Sequence, residues 1–138
     1  MTDTPELLHP IGRVASPLRE TATAPKHGDE GAPEAWLVLD EDVTDALRGL
    51  SAGDEIVVLT WLHLARRDVL VVHPRGDLEQ PERGVFSTRS PHRPNPIGLH
   101  RVTIAEVAGA RLRVAPLEAV DGTPILDIKP VRPRAPDD

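Results

Sequence analysis

Two segments of the chain concentrate groups that can do chemistry. The first is Thr88-Arg89-Ser90-Pro91-His92-Arg93-Pro94-Asn95-Pro96-Ile97-Gly98-Leu99. Pro91, Pro94 and Pro96 fix their own φ and push Arg93 and Asn95 toward extended backbone. They also remove three amide donors, so the loop is rich in carbonyl acceptors. Asn95 adds a side chain that both donates and accepts hydrogen bonds. Gly98 permits a close approach or a positive φ. A stiff loop dense in polar groups makes a preformed ligand site. The plainer reading is a proline-rich connector between two strands.

The second segment is Asp121-Gly122-Thr123-Pro124-Ile125-Leu126-Asp127-Ile128-Lys129-Pro130. Asp121-Gly122 signals a turn, and Ile125–Ile128 reads as a strand. Asp121 and Asp127 suit ligand hydroxyls or an arginine partner. A structural turn with an ion pair to the first segment is the plainer reading, and it fits Asp127 better than Asp121. His27, His73, His92 and His100 form no recognised metal spacing, so no metal site is expected.

These segments need a frame, and composition limits what it can be. The 138 residues fit one compact domain. Fifteen prolines disfavour a helical bundle. The absence of cysteine excludes a disulfide scaffold, a thiol nucleophile and cysteine-ligated zinc or iron. Trp36, Trp61 and Phe86 are the only aromatics, too few for a module that reads bases mainly by stacking. The formal net charge is −6, but residues 1–81 hold 15 acidic and 7 basic side chains, whereas 82–138 hold 7 and 9. Arg83–Arg101 carries four arginines, two histidines and no carboxylate, which suggests a local anion or polar-ligand surface. Met1–Pro10 has no apolar core for a signal peptide, and Ile56–Leu64 is too short to span a bilayer. A soluble cytoplasmic protein, without membrane association, is expected.

Strand patterns dominate. Ile11–Ala15 and Glu34–Leu39 are short β-type runs. Ile56–Leu64 and Val69–Val72 read as strands buried on both faces. Gly84–Thr88 is another short strand candidate. Leu99–Val107 and Ala110–Ala115 form a hairpin about Ala108-Gly109. One helix is predicted over Val43–Leu50, capped by Asp42. Glu20–Pro33 and Pro74–Arg83 read as long loops. The fold class is therefore mainly β: a small closed or partly open β-barrel with one or two short helices. One domain is expected over 10–133, between flexible ends at 1–9 and 134–138.

The string Gly84–Leu99, followed by Asp121–Pro130, closely resembles the TsaA-like or TrmO-like family, and Ile11–Pro17 resembles that family's first strand. The resemblance covers about residues 10–133. It implies a small β-barrel methyltransferase that uses S-adenosylmethionine without a Rossmann fold, consistent with the absence of Gly-x-Gly-x-x-Gly after a strand. Such enzymes methylate N6 of threonylcarbamoyl-adenosine at position 37 of tRNA and work as homodimers, with cofactor near the interface. Carried over by position, the implied cofactor contacts are Pro25, Lys26, His27, His63, Leu64, Arg89, Leu99, Ala115, Pro116, Leu117 and Glu118. Glu118 is expected to accept from the ribose hydroxyls, and Arg89 or Lys26 to pair with the methionine carboxylate. Asn95, with a carbonyl of Arg93–Pro96, is the candidate for positioning the acceptor amine. The remaining motif residues are Arg93, Pro94, Pro96, Gly98, Asp121, Asp127 and Lys129.

The chain departs from the family pattern in places. Lys26 and His27 replace Arg and Gln, Leu18 stands where an aromatic is common, and Leu64 replaces a polar residue. Glu118 replaces an aspartate and Val131 a tyrosine. No counterpart of the tRNA-methylating relatives' extra C-terminal domain is expected. These departures bear on the acceptor more than on the cofactor. The alternatives are a same-fold methyltransferase for a small molecule or another RNA, and a non-catalytic S-adenosylmethionine-binding module.

Overall fold

The computed structural model describes residues 6–17 and 34–132. Eight strands are present among them: β1 (Gly12–Ala15), β2 (Ala35–Leu39), β3 (Glu55–Trp61), β4 (Val71–Val72), β5 (Arg83–Gly84), β6 (Ile97–Ala108), β7 (Arg111–Ala115) and β8 (Pro124–Pro130). Six close into a barrel in the order β1-β2-β7-β6-β3-β8, and β4 pairs with β5 in a separate ribbon. Every pairing is antiparallel. The sequence therefore predicted the class, and of the two forms it left open, closed or partly open, the barrel takes the closed one.

Alternation builds the core. Inward positions of β6 are Gly98, His100, Val102 and Ile104, and those of β3 are Ile56, Val58 and Thr60. Leu37, Leu112, Val114, Leu117 and Ile125 complete the interior with no exposed surface. β3 is thus buried on one face, not both: Val57, Leu59 and Trp61 are only partly covered. The Val69–Val72 run also departs from expectation. Only Val71–Val72 pairs, and Leu70 and Val71 are exposed, because a two-residue ribbon has no sheet above or below it.

The predicted helix is a 3-10 helix over Glu41–Leu47 with Asp40, not Asp42, at the cap position. Asp40 N–H donates to Ile11 O at 2.8 Å, so the chain turns as soon as β2 ends. Asp, Val and Thr favour a full α-helix weakly, and Leu47 is the one residue it buries. Gly84–Thr88 is likewise split, with β5 ending at Gly84 and a 3-10 turn over Val85–Ser87. Among the described residues no helix is long and apolar enough to cross a membrane.

The register defines one end of the barrel, termed the motif end. β3 and β7 run toward it, and β6 and β8 start from it. Trp61 lies opposite Ile97 and Thr60 opposite Ile125. Ala115 lies opposite Thr103, so 116–118 continue alongside the first half of β6.

Gly12 shows how tightly the barrel is drawn. A Cβ there would lie 2.3 Å from Val38 O and 2.8 Å from Leu39 Cα, whereas one at Gly84 meets nothing within 4 Å. Gly12→Ala is predicted to cost about 1–3 kcal/mol through overpacking against backbone. Gly84→Ala should leave the urea midpoint nearly unchanged, and equilibrium unfolding of the two variants checks the contrast.

Candidate functional site

The Pro-rich loop is held by arginines. Arg67 donates from Nε to Pro94 O at 2.7 Å and from Nη2 to Asn95 Oδ1 at 2.9 Å. Its guanidinium lies 5.1 Å from the Trp61 ring centroid. Arg93 donates to Thr88 O and Ser90 O, both at 3.0 Å, and so closes the loop on itself. Arg93 N–H donates to Arg66 O, Leu62 N–H to Pro96 O, and Arg66 N–H to His92 Nδ1 at 2.9 Å. Nδ1 of His92 is therefore an acceptor, which leaves any ring proton on Nε2. Arg66 also forks onto Asp68 at 3.0 and 2.8 Å. Those hydrogen bonds hold the Asp68 carboxyl below its usual range and raise Arg66. The pair is exposed, so its stabilising effect is small.

These bonds spend most of the acceptors that the prolines left. Pro94 O, Pro96 O and Asn95 Oδ1 are taken, and Asn95 O accepts from Ile97 N–H at 2.7 Å. Of the four carbonyls in Arg93–Pro96, only that of Arg93 has no partner among the described residues. Asn95 remains exposed and presents its amide N–H groups outward from a fixed oxygen.

Inside the barrel mouth lies a polar chain. Thr60 Oγ1 and His100 Nε2 are 2.7 Å apart, and His100 Nδ1 is 2.6 Å from Glu118 Oε1. Thr60 is fully buried, His100 is 4% exposed and the Glu118 side chain 20%. A Cβ on Gly98 would meet Thr60 Oγ1 at 2.4 Å and His100 Nε2 at 2.7 Å. Glycine at 98 is thus needed for close approach to these side chains, one of the two roles its sequence context suggested.

The other expected residues divide clearly. Arg89 is exposed and makes no ion pair with a described residue. His63 and Leu64 are exposed on the turn after β3, and Leu99 is 48% exposed on the outer face of β6. Ala115 and Pro116 are partly covered, while Leu117 is fully buried in the core and presents no surface to a ligand. Pro25, Lys26 and His27 lie outside the described residues. Asp121 Oδ1 accepts from Ser16 N–H at 2.9 Å, which ties the turn to β1. Asp127 pairs with Lys129 at 3.1 Å and accepts from Ile128 N–H. Its partner is thus a neighbour on β8 and not an arginine of the first segment.

A cavity of about 700 Å³ opens at the opposite end between Leu39, Leu47, Leu50, Ile56 and Ile128. Of the motif residues singled out for a site only Asp127 borders it, and Asp127 is already paired. Among the described residues a smaller, open pocket of about 230 Å³ lies at the motif end, bordered by Trp61 and Pro124.

Residues 13–137 match the family described as tRNA-methyltransferase O N-terminal domain. The chain belongs to this family. A curated relative from Methanothermobacter thermautotrophicus, named a probable S-adenosyl-L-methionine-binding protein, is 45% identical over 94% of this chain and 93% of its own. An S-adenosyl-L-methionine-binding protein of Archaeoglobus fulgidus is 44% identical over 92% and 90%. Among solved structures, TrmO from Pseudomonas aeruginosa aligns with a TM-score of 0.72 at 30% identity, covering 98% of this chain and 60% of that one. Another TrmO crystal structure gives 0.76 at 30% identity, with 98% and 61% covered. The chain thus spans about three fifths of the length of these solved TrmO chains.

In this member of the family, Thr60, Arg67 and His100 contact candidate site residues, and local sequence did not flag them. His100 had one signal: its parity with Gly98, Val102 and Ile104 puts it inside a barrel strand. Arg67 had none, since its partners lie 27 and 28 residues away. The basic face suggested by sequence is also thinner than the arginine count implies. Arg101 pairs with Glu55, and Arg113 with Glu34 and Glu106. Arg111 stacks on Trp36 at 4.7 Å, and Arg93 is spent on its own loop. Arg83, Arg89 and Arg132 keep exposed guanidinium groups with no described ion-pair partner.

Arg67→Ala removes two hydrogen bonds and the indole contact from the loop at once. It is predicted to speed amide exchange at the non-proline positions of 92–95 at least tenfold while leaving protection of β6 and β7 unchanged. Hydrogen-exchange mass spectrometry of the two proteins tests this.

Proposed function

We propose that this protein is a cytoplasmic S-adenosylmethionine-dependent methyltransferase that binds its cofactor at the motif end and methylates N6 of threonylcarbamoyl-adenosine at position 37 of tRNA. The observation that carries the reading is the pairing, at one barrel end, of a held carboxylate, Glu118, with a rigid arginine-clamped loop. The residues present suit the cofactor's chemistry. A carboxylate oxygen of Glu118 without a described partner suits ribose hydroxyls, and the free guanidinium of Arg89 suits the methionine carboxylate. Leu64 and Leu99 offer exposed aliphatic surface for a purine. Pro25, Lys26 and His27 are proposed to add contacts, and Ala115 and Pro116 to border the nucleoside. His63 is proposed as a hydrogen-bonding or lining residue and not as a base.

Bound there, the cofactor supplies an electrophilic methyl group on a sulfonium. Transfer is an in-line displacement, so the protein contributes chiefly alignment and exclusion of water. The N6 amine of adenine is a poor nucleophile because its lone pair is delocalised. Arg93 O is the carbonyl still able to accept one of its hydrogens. Asn95, with its oxygen held by Arg67, presents donors that suit an acceptor atom beside the amine. Arg83 would meet a phosphate, and a second subunit would double it.

The homodimer is part of the proposal, and its support is apolar surface. Leu99 pairs with Leu59, and Ile97 with Trp61, on the outer face of β6 and β3. Ile97 and Leu99 are 44% and 48% exposed. Phe86 is 81% exposed on the 3-10 turn that follows β5. Such a surface beside the site fits an interface near which cofactor binds.

Incubation with labelled S-adenosylmethionine and total tRNA, with and without the threonylcarbamoyl group, followed by nucleoside mass spectrometry, tests the activity. Methyl transfer only to modified tRNA is expected. Transfer to unmodified RNA or to a metabolite extract would replace this acceptor, and tight binding without transfer would make the protein a binding module. Asn95→Ala is expected to lower turnover at least tenfold with cofactor affinity retained, and Leu99→Glu to shift the sedimentation coefficient from dimer to monomer.

A further inference from the structure

We infer that His100 is a positioning residue that fixes the Glu118 carboxylate for the ribose hydroxyls of the bound nucleoside. The inference deepens the cofactor reading above and rests on Glu118 as the ribose acceptor. Its basis is the hydrogen-bond polarity of the Thr60–His100–Glu118 chain. An ionised carboxylate only accepts, so Nδ1 of His100 carries the proton toward Glu118 Oε1 at 2.6 Å. In the neutral ring Nε2 is then an acceptor, and the Thr60 hydroxyl donates to it at 2.7 Å. Each ring nitrogen has a partner, and the tautomer follows from those partners.

The chain runs outward from the core. Thr60 has no exposed surface, His100 almost none, and Glu118 is the first member that reaches solvent. Oε1 is tied to the interior, and Oε2 has no described partner. A glutamate left to itself has three free torsions and must be ordered when ligand binds. Here His100 has already ordered it, so a vicinal diol meets a fixed acceptor. Gly98 serves the same end, since any side chain there would displace the Thr60 hydroxyl and the ring. A buried histidine kept only for packing would not need a partner at the barrel mouth.

Substitutions can separate the two ring nitrogens. The side-chain amide nitrogen of asparagine can stand in for Nδ1, while glutamine reaches the place of Nε2. Calorimetry would measure S-adenosylhomocysteine and its 2′,3′-dideoxyribose analogue against wild type, Glu118→Gln, His100→Asn, His100→Gln and His100→Leu. Glu118→Gln is expected to weaken the natural ligand about tenfold, consistent with loss of a charge-assisted contact. His100→Gln and His100→Leu should match that loss, and His100→Asn should stay within about threefold of wild type. None should weaken the dideoxy analogue, and His100→Leu combined with Glu118→Gln should be no worse than Glu118→Gln alone. Equal losses for both ligands, or wild-type binding by His100→Leu beside a weakened Glu118→Gln, would overturn the role of His100. Normal binding by Glu118→Gln would instead overturn the ribose reading itself. Where His100→Leu fails to fold, nitrogen NMR of the wild type decides. An Nδ1–H resonance of His100 that shifts on adding S-adenosylhomocysteine supports the role, and an Nε2–H tautomer sinks it.

Discussion

The barrel closes along a short seam between β1 and β8, and the motif end depends on it. Only Gly12 and Arg13 pair there in register, opposite Ile125 and Pro124. Backbone bonds extend the seam: Ile11 N–H to Ile125 O, Val14 N–H to Thr123 O and Gly122 N–H to Val14 O. Asp121 adds the Ser16 amide, and Gly122 takes φ 83°, which only glycine adopts freely. The Asp121-Gly122-Thr123-Pro124 run is therefore closure chemistry. It removes the last free edges of the sheet and keeps β8 against β3. In turn β3 keeps β6 in register, and Gly98 and His100 hang on β6.

The second organising feature is how the loop at the motif end spends its hydrogen bonds. Prolines strip out donors and leave a surplus of carbonyls. A surplus of acceptors attracts cations, and Arg67 and Arg93 fill most of it from within the chain. The result is a stiff loop whose groups without a described partner include the amide N–H groups of Asn95, the carbonyl of Arg93 and the guanidinium of Arg89. Rigidity and chemical selectivity thus come from the same bonds. The Trp61 ring under Arg67 belongs to this arrangement, so that indole serves the frame. Of the seven described arginines in residues 82–138, four are engaged by carboxylates, a ring or carbonyls. Count alone overstated the field they project.

The sequence by itself determined the fold class, the strand positions within a few residues, and the two segments around which the site is built. It could do so because strand periodicity, turn glycines and proline spacing are local signals. It misjudged Val43–Leu50, where chain direction at the end of β2 overrode apolar spacing. It also misjudged Val69–Val72, where apolar residues remain at the surface. For the candidate site it marked Glu118 and Arg89 by resemblance and Asn95 by residue type and loop rigidity, and it treated Asp121, Asp127 and Leu117 as candidates alongside them. Tertiary structure gives these groups different partners. Asp121 faces an amide of β1, Asp127 faces Lys129, and Leu117 sits in the core. Only the folded barrel brings Thr60, His100 and Glu118 together across separations of 40 and 18 residues. Which atom accepts, which donates and which is left for a ligand depends on such contacts, because a hydrogen bond needs its partner within about 3 Å and no local pattern specifies that distance.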